Sequence, residues 1–512
     1  MKNIQPLSLI NGLFLPVAET GFRDYLRVCE KLIEREPEIL EMVNMDLDQK
    51  AKEEKKCRLE DKEWEDRHTK TFPWVEADQE EVVAEELELK VGRPRMSAHL
   101  VYIFTMVRGY LGGIKSQTAK IFISESITLR LLIESKGVKM PGSSTILELV
   151  NMVSSKTMQA IFDAQIRMVL REELDDFEEL TIDSTSVKGN TSWPTDSKIL
   201  TRLAVRAYKR SQAIKIFTIE ARKNTEVERI LKGMNGLCKS IDLNVGKRNA
   251  KVKRKKAYKK LLKHANRANK ILRKELQRIE KAASEVDIKP SQKVQLIRVI
   301  ELIAEDLNNL EKVIDYCPKR VFKEEKIKSA DKVLSMSDGD AAFIKKGDRE
   351  PKIGYKPQLG RSKNGFVSTL VVPKGNAADS GELNGTIEDH IMRTKVIPKK
   401  VSTDDGYANA KIRTKWLSGG VEIFSISGSK GKNMTTEEEW ESDEYKDSRN
   451  NRSAVESLMF TIKHNFEFGV VMRRGIENVR AELLEKVIAY NFCRILEVKK
   501  QNRKRELQKV AA

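Results

Sequence analysis

The chain has 512 residues, of which 40% are hydrophobic and 33% charged, and its formal net charge is +19. This length exceeds what one ordinary core fills, so we expect roughly two to four domains. The excess of Lys and Arg favours a polyanionic partner, because each neutralised phosphate releases condensed counterions. On charge alone, RNA, a membrane surface or a merely solubilising surface remains an alternative to DNA.

Apolar segments are too short for a membrane span or a secretion signal. The longest lies around Leu100–Val107, whereas a span needs roughly 18 to 20 residues. The N-terminus lacks an uninterrupted apolar stretch, so we expect no signal peptide and a cytoplasmic, nucleoid-associated protein. The five cysteines are odd in number and form no C-x2-C pair, which argues against a zinc site or a disulfide framework.

Two helical regions come first in chain order. Residues 1–90 form an N-terminal helical region, which Gly92-Arg-Pro-Arg95 separates from a second one, residues 91–172. Helices are predicted there at 97–111, 115–135 and 144–172. Short helices joined by Gly-containing turns, with exposed cations, are typical of a helix-turn-helix-like DNA-binding domain. A helical bundle that only supports a catalytic domain remains the alternative.

A strongly basic helical insertion, residues 201–329, follows the first predicted strand, Glu179–Asp183. Between 247 and 281 it holds sixteen Lys and Arg against two Glu. Apolar residues at 3-4 spacing there, and again after Pro290, predict an antiparallel helical hairpin. So many cations repel one another without a counter-charge, so DNA backbone contact is favoured over a plain solvated face. The DNA-contacting residues that we predict are Lys253, Arg254, Lys255, Lys256, Lys259 and Lys260.

The remaining residues have the pattern of an α/β domain. Strands are predicted at 333–336, 341–345, 358–359, 366–372, 399–404 and 421–425, and helices at 384–393, 407–417, 449–466 and 476–500. Hairpin strands followed by alternating helices and strands is the element order of an RNase H-like fold interrupted after its first strand. We therefore expect an α/β fold class, with a mixed sheet core formed by 173–200 and 330–498 and a basic tail at 499–512.

Three acidic residues occupy positions from which carboxylates of such a fold converge. Asp183 and Asp404 each end a predicted strand, and Glu456 lies in a predicted helix. Two divalent cations held by such carboxylates clamp both the attacking and the leaving oxygen of a phosphodiester. Mg²⁺ prefers oxygen ligands and keeps several waters, so three carboxylates can suffice. We assign Asp183 as the bridging ligand, Asp404 to one ion and Glu456 to the other.

The helix that carries Glu456 also carries two cations on the same face. At about 100° per residue, Arg452, Glu456 and Lys463 fall within about 40° of one another. A carboxylate flanked by two cations suits a metal site beside DNA, with Arg452 and Lys463 holding phosphates on either side of the scissile bond. The alternative is a plain Arg–Glu surface pair, with Lys463 incidental.

These motifs resemble those of bacterial insertion-sequence transposases of the DDE type. Asp183-Ser-Thr is similar to the first-aspartate block of that superfamily, and Asp404-Asp-Gly-Tyr407 to its D-x-G-Y block, which singles out Asp404. Arg452-x3-Glu456-x6-Lys463 matches the R-x3-E-x6-K part of the Y-x2-R-x3-E-x6-K signature. Arg449 stands in the tyrosine position, and we place it with the DNA contacts.

The resemblance implies a DNA transposase with an RNase H-like catalytic core and two Mg²⁺ ions, for which Mn²⁺ can substitute. Water attacks at the transposon end to free a 3′-hydroxyl, which then attacks target DNA. It also implies a homodimer or higher assembly on DNA. Two other classes remain open: a transposase-derived DNA-binding protein without catalysis, and an RNase H-like nuclease without strand transfer.

Overall fold

The computed structural model of the protein describes residues 17–69, 96–112, 125–135, 141–191, 195–217, 219, 224–244, 249–328, 331–345 and 350–511. These residues are mostly helical, with two small sheets. The N-terminal helices are α1 Val17–Arg35, α2 Glu38–Thr69, α3 Ala98–Tyr110, α4 Ile127–Glu134, α5 Ser143–Met152 and α6 Ser155–Arg171. Next come strands β1 Glu179–Ser184 and β2 Val187–Lys188, then helices α7 Asp196–Ala213, α8 Thr225–Leu243, α9 Ala250–Glu285 and α10 Pro290–Phe322, with a 3-10 helix at Ile214–Phe217.

The remaining elements alternate between strands and helices. They are β3 Ala342–Ile344, β4 Lys352–Tyr355, β5 Gln358–Arg361, β6 Val367–Val371, α11 Asp379–Thr394, β7 Lys400–Asp404, a 3-10 helix at Asp405–Tyr407, α12 Ala410–Ser418 and β8 Ile423–Ser427. The last helices are α13 Ser429–Lys432, α14 Glu437–Glu441, α15 Asp443–Asn450, α16 Ser453–Asn465 and α17 Ile476–Ala511.

The chain divides into two units. The first consists of residues 1–49, 94–190 and 340–512, and the second of residues 50–93 and 191–339. The second unit therefore contains the basic helices, and the first contains both sheets. The domain boundaries expected from the sequence, and the functions attached to those domains, stay predictions.

A mixed five-stranded sheet forms the centre of the first unit, in the order β6-β5-β1-β7-β8. β1 pairs antiparallel with β5 and parallel with β7, and β7 pairs parallel with β8. β1 thus lies in the middle, between partners that come far later in the chain. Its apolar residues Leu180 and Ile182 are buried with Ile387 of α11 and Phe424 of β8, so α11 covers this sheet.

The N-terminal helices of the first unit pack against α17 and against each other. Tyr102 of α3 donates a hydrogen bond to the carbonyl of Cys29 in α1. Gln165 of α6 donates to the carbonyl of Ile488, and the guanidinium of Arg108 makes two 2.6 Å hydrogen bonds to the buried carboxylate of Glu485. Fixed polar contacts of this kind align helices that hydrophobic burial alone leaves free to slide.

In the second unit, α9 and α10 form an antiparallel hairpin against α7 and α8. Leu261 and Leu272 of α9 share a buried cluster with Leu307 and Leu310 of α10, which explains their 3-4 spacing. The two helices run in opposite directions, because Arg273 in the middle of α9 donates to Asn308 and Lys255 near its start lies beside the end of α10.

Several predicted boundaries are wrong. Residues 333–336 are not a strand, because the hydroxyl of Ser335 accepts from the backbone N–H groups of Ser337 and Asp338 and so forms a turn. The helix predicted at 144–172 is two helices, since Ser154 breaks the run and caps α6 by accepting from Thr157 N–H. The helix predicted at 476–500 is longer than expected, because α17 continues to Ala511.

The helix predicted at 449–466 is also two helices, α15 and α16. Arg452 is the N-cap of α16, and Arg449 lies on α15. Of the helix predicted at 115–135, residues 125–135 lie within the described residues and contain α4, whereas 115–124 lie outside them. Gly92-Arg-Pro-Arg95 and residues 1–16 also lie outside the described residues.

Candidate active site at the carboxyl ends of β1 and β7

Asp183 and Asp404 lie at the ends of neighbouring parallel strands. The β1–β7 register aligns Thr181 with Ser402, so two residues further on Asp183 comes level with Asp404. Because side chains alternate along a strand, both carboxylates then point to the same face. Asp183 is buried, and its Oδ1 accepts from Ser184 N–H at 2.7 Å. Asp404 Oδ1 accepts from Gly406 N–H at 2.9 Å.

Tyr407 is buried beside both aspartates. Burial raises its pKa strongly, and the negative charges of Asp379, Asp183 and Asp404 raise it further. Its hydroxyl therefore stays protonated and donates to the side-chain oxygen of Gln358 on β5. The sequence pattern singled out Asp404-Asp-Gly-Tyr407 as a block. In the structure, Tyr407 links the end of β7 to β5.

Asp379 is a third carboxylate close to Asp404, which the sequence analysis missed. A methyl group placed on Gly406 would lie 2.9 Å from Asp404 Oδ1 and 3.5 Å from Asp379 Oδ2, so both carboxylates border the same small space. Asp379 accepts from Gln358 Nε2 at 3.1 Å and pairs with Lys356 at 2.8 Å. The signal in the sequence was an acidic residue in the first turn of a helix, but the helix was predicted to begin only at 384.

Asp405 has a different role from its neighbour Asp404. Its carboxylate accepts from the N–H groups of Gly431 at 3.1 Å and Lys430 at 3.3 Å, at the start of α13. Gly428 lies so close that a Cβ there would fall 2.4 Å from this carboxylate, and its φ is +107°. Asp405 therefore holds the loop after β8, and Asp404 remains the candidate metal ligand.

Glu456 lies on α16, which packs against β1 and β5. The buried face of that helix consists of Val455, Leu458 and Ile462. Glu456 lies on the exposed side, with 61% of its side chain accessible. Its carboxylate accepts from Arg452 Nη2 at 3.1 Å, the surface pair that the sequence analysis kept as an alternative. The Nε of Arg452 is buried without a hydrogen-bond partner among the described residues.

The two other cations predicted near Glu456 differ in their surroundings. Lys463 lies half-buried on α16, two turns after Glu456. Arg449 lies on α15 with its guanidinium 4.4 Å from the centre of the Trp440 ring, a cation–π contact. Arg449 therefore has a packing partner within the protein, and a DNA contact would compete with it.

The predicted basic residues of α9 belong to the second unit. Lys253, Lys256, Lys259 and Lys260 are exposed, whereas Arg254 and Lys255 are half-buried. Lys255 donates to Glu324 Oε1 at 3.0 Å. The exposed lysines form one solvent-facing strip, as the apolar spacing on the opposite face requires.

The chemistry of the donor set suits a hard divalent cation, because Asp183, Asp404 and Glu456 all offer carboxylate oxygens. Within the part of the chain that the structure describes, no group of three or more His, Cys, Asp or Glu is gathered closely enough to hold a metal ion. The structure thus brings Asp183 and Asp404 to neighbouring strand ends, and it leaves Glu456 exposed and paired with Arg452. Among the same described residues, no helix is long and apolar enough to cross a membrane.

Residues 337–492 match the model of a family described as "Transposase DDE domain". The match supports a DDE transposase family for this chain, and such a family implies a DNA partner, a divalent metal and an RNase H-like fold. The matched range includes Asp404 and Glu456 and begins after Asp183. No curated protein and no solved structure matches the chain.

Proposed function

We propose that this protein is a DNA transposase that cleaves DNA at transposon ends and joins the freed 3′-hydroxyl to target DNA. One observation carries the proposal: Asp183 and Asp404 end neighbouring parallel strands in the same sheet, and the helix bearing Glu456 packs against the first of these strands. The family match over 337–492 supports the same reading. The sheet order β6-β5-β1-β7-β8 is compatible with an RNase H-like core that carries its helical insertion after β1 and β2.

Asp183, Asp404 and Glu456 are the residues that would hold two Mg²⁺ ions, or Mn²⁺ in their place. When bound, the metal supplies charge neutralisation and activation of the attacking oxygen. Within the chain, Tyr407 and Gln358 hold the end of β7 in place. Glu456 is paired with Arg452 in the structure. With its carboxylate bound to a metal, Glu456 would leave this guanidinium able to bind a DNA phosphate.

DNA contacts are proposed at two places. Arg452 and Lys463 flank Glu456 in sequence on α16, where they would hold phosphates beside the scissile bond. The exposed strip of Lys253, Lys256, Lys259 and Lys260 on α9 would also contact phosphates of the DNA backbone. We further propose that two or more copies assemble on DNA to bridge the two transposon ends.

The first test compares neighbouring aspartates. We expect Asp404→Asn, Asp183→Asn and Glu456→Gln each to reduce Mg²⁺-dependent cleavage of DNA carrying the sequences that flank the reading frame by at least about a thousandfold, with binding of that DNA retained. Asp405→Asn is the matched control, because asparagine keeps one side-chain oxygen that can accept from Gly431 N–H at the start of α13. Cleavage by this variant should stay within about threefold of the original protein.

The reaction products distinguish a transposase from the two other classes of protein. A transposase joins a pre-cut end with a free 3′-hydroxyl to a target plasmid, whereas an RNase H-like nuclease yields only hydrolysed ends. A DNA-binding relative without catalysis binds the same DNA and leaves it intact with Mg²⁺ or Mn²⁺. Equal loss of cleavage in Asp404→Asn and Asp405→Asn, or loss of DNA binding along with cleavage, would refute the assigned roles.

A further inference from the structure

A basic pocket of about 240 Å³ lies inside the second unit, near the start of α9 and the end of α10. Lys251, Arg254, Lys255 and Tyr258 of α9 form one side of it, and Arg320, Val321 and Glu324 form the other. Asp196, the first residue of α7, closes it. The site lies within the second unit, whereas the aspartates at the ends of β1 and β7 belong to the first unit.

The pocket carries an excess of positive charge. Four cations line it against the carboxylates of Asp196 and Glu324. Arg320 Nη1 donates a 2.6 Å hydrogen bond to Asp196 Oδ2. The first turn of α9 adds to the positive potential, because its N-terminal N–H groups point toward this end of the helix, and Asn249, the N-cap, makes no side-chain hydrogen bond to them within the described chain.

Arg254 lines this pocket and has an unused donor. Its Nε is buried and has no hydrogen-bond partner among the described residues. A buried N–H group without an acceptor costs free energy, so such a group in a native protein calls for a ligand or a water. Its neighbours Lys253 and Lys256 are exposed and do not line the pocket.

Glu324 already places an oxyanion between two of the lysines. Its carboxylate pairs with Lys251 at 2.7 Å and with Lys255 at 3.0 Å. Hydrogen bonds from the two lysines, and then their charges, lower the pKa of Glu324 to about 2. Its backbone is left-handed, with φ +60°, which carries the side chain back from the end of α10 toward α9. The pair is exposed, and exposed ion pairs contribute little, so another oxyanion can displace Glu324.

We propose that this pocket binds a single phosphate group, which takes the place of the Glu324 carboxylate between Lys251 and Lys255 and accepts a hydrogen bond from Arg254. A phosphate offers more acceptor oxygens than one carboxylate, so it can satisfy both lysines and the guanidinium together. The assignment of that phosphate to the DNA backbone rests on the proposed function. A small free phosphate offers the same chemistry.

The test compares Arg254 with exposed lysines of α2 in the full-length protein. We expect Arg254→Gln to weaken duplex DNA binding about tenfold in fluorescence anisotropy at fixed salt. The controls Lys52→Gln and Lys55→Gln, at exposed lysines of α2 outside the pocket and outside the strip on α9, should each weaken it less than about threefold. Glu324→Gln should strengthen binding, because the competing carboxylate is gone. The thermal unfolding midpoint of each variant checks that the fold is kept.

A second arm uses inorganic phosphate alone, added at constant ionic strength while thermal unfolding is followed. If Arg254→Gln spares DNA binding but removes stabilisation by phosphate, the pocket takes a small phosphate. If Arg254→Gln and Lys52→Gln lose equal DNA affinity and phosphate gives no Arg254-dependent stabilisation, the pocket proposal is wrong while the transposase proposal stands. Phosphate stabilisation in a protein that binds no DNA would instead support the pocket and count against the transposase.

Discussion

At the scale of single residues, buried polar groups fix the local structure around the proposed site. His390 of α11 is fully buried, with Nδ1 2.8 Å from the hydroxyl of Ser368 and Nε2 3.2 Å from the carbonyl of Phe177. A neutral ring satisfies both contacts, donating to the carbonyl through Nε2. Burial lowers the pKa of His390 to about 4, because a charged ring would lose its hydration there.

This histidine makes stability depend on pH in a definite direction. In the unfolded chain a histidine has a pKa of about 6.5, so below that pH the unfolded state takes up a proton that the folded state refuses. The contribution of His390 is therefore present above pH 6.5 and is lost as the pH falls toward 4. We expect a loss of about 2 kcal/mol in the free energy of unfolding between pH 7 and pH 5.

Urea unfolding of His390→Gln at both pH values checks this expectation. Glutamine also donates and accepts, so the variant should keep the contacts and lose about 2 kcal/mol of the pH dependence. The exposed His464→Gln is the control and should unfold with the same pH dependence as the original protein. An unchanged slope in His390→Gln would mean that this ring titrates normally.

Residue chemistry was only partly readable from the sequence. Asp183 and Asp404 stood out because each ends an apolar strand pattern. Asp379 did not, because its closeness to Asp404 depends on where α11 begins, which periodicity leaves uncertain by several residues. The distinction between Asp404 and Asp405 came from a motif, and the contacts of Asp405 with α13 supply a physical reason for it.

At the scale of elements, the helices of the second unit are held together by a buried carboxylate. Asp306 of α10 is fully buried, and Arg206 of α7 donates to it from Nε at 2.8 Å. Arg210, one turn further along α7, donates to its other oxygen at 2.5 Å. The carboxylate therefore fixes the register of α7 against α10.

We expect Asp306→Asn to lower the free energy of unfolding by about 3 kcal/mol, because two guanidinium groups would lose their counter-charge in a partly buried place. Urea or thermal unfolding followed by circular dichroism measures the change. Glu301→Gln is the matched control on the same helix, since Glu301 pairs with Arg298 at 3.4 Å on the surface. Its effect should stay within about 0.5 kcal/mol, and similar losses in both variants would contradict the role of Asp306.

Sequence periodicity located most elements but not their interruptions. The apolar spacing runs through Ser154 without a break, and only the capping hydrogen bond to Thr157 ends one helix and starts another. β4 was missed because Lys352–Tyr355 contains a glycine after Pro351, which reads as a turn. In the structure Gly354 is required for pairing with β2, since a Cβ there would fall 1.9 Å from the carbonyl of Val187.

At the scale of the whole molecule, the net charge of +19 bears on the affinity for DNA and on its dependence on salt. We expect the affinity of the protein for duplex DNA to fall steeply as salt rises. Changing Lys253, Lys256, Lys259 and Lys260 together to Gln should reduce the slope of log affinity against log salt by up to about 0.9 for each lost phosphate contact. Anisotropy titrations at several salt concentrations measure that slope.

A control must separate the effect of net charge on this slope from the effect of where the lysines lie on the surface. Replacing Lys52, Lys55, Lys56 and Lys62, exposed lysines of α2, by Gln lowers the formal net charge equally, from +19 by four to +15. This control should leave the slope nearly unchanged if the strip on α9 contacts DNA. The same reduction in both fourfold variants would mean that only the overall charge matters.

The placement of α17 has a consequence for how the first unit is made. Arg108 of α3 pairs with Glu485, and Gln165 of α6 donates to the carbonyl of Ile488. These partners on α17 lie 377 and 323 residues later in the chain. During synthesis, α3 and α6 therefore emerge long before α17, the helix against which they pack in the folded unit. A nascent chain, or a copy truncated before α17, therefore exposes hydrophobic surface of these helices. Chaperones bind such surface, so we expect truncated copies without α17 to be unstable in a cell.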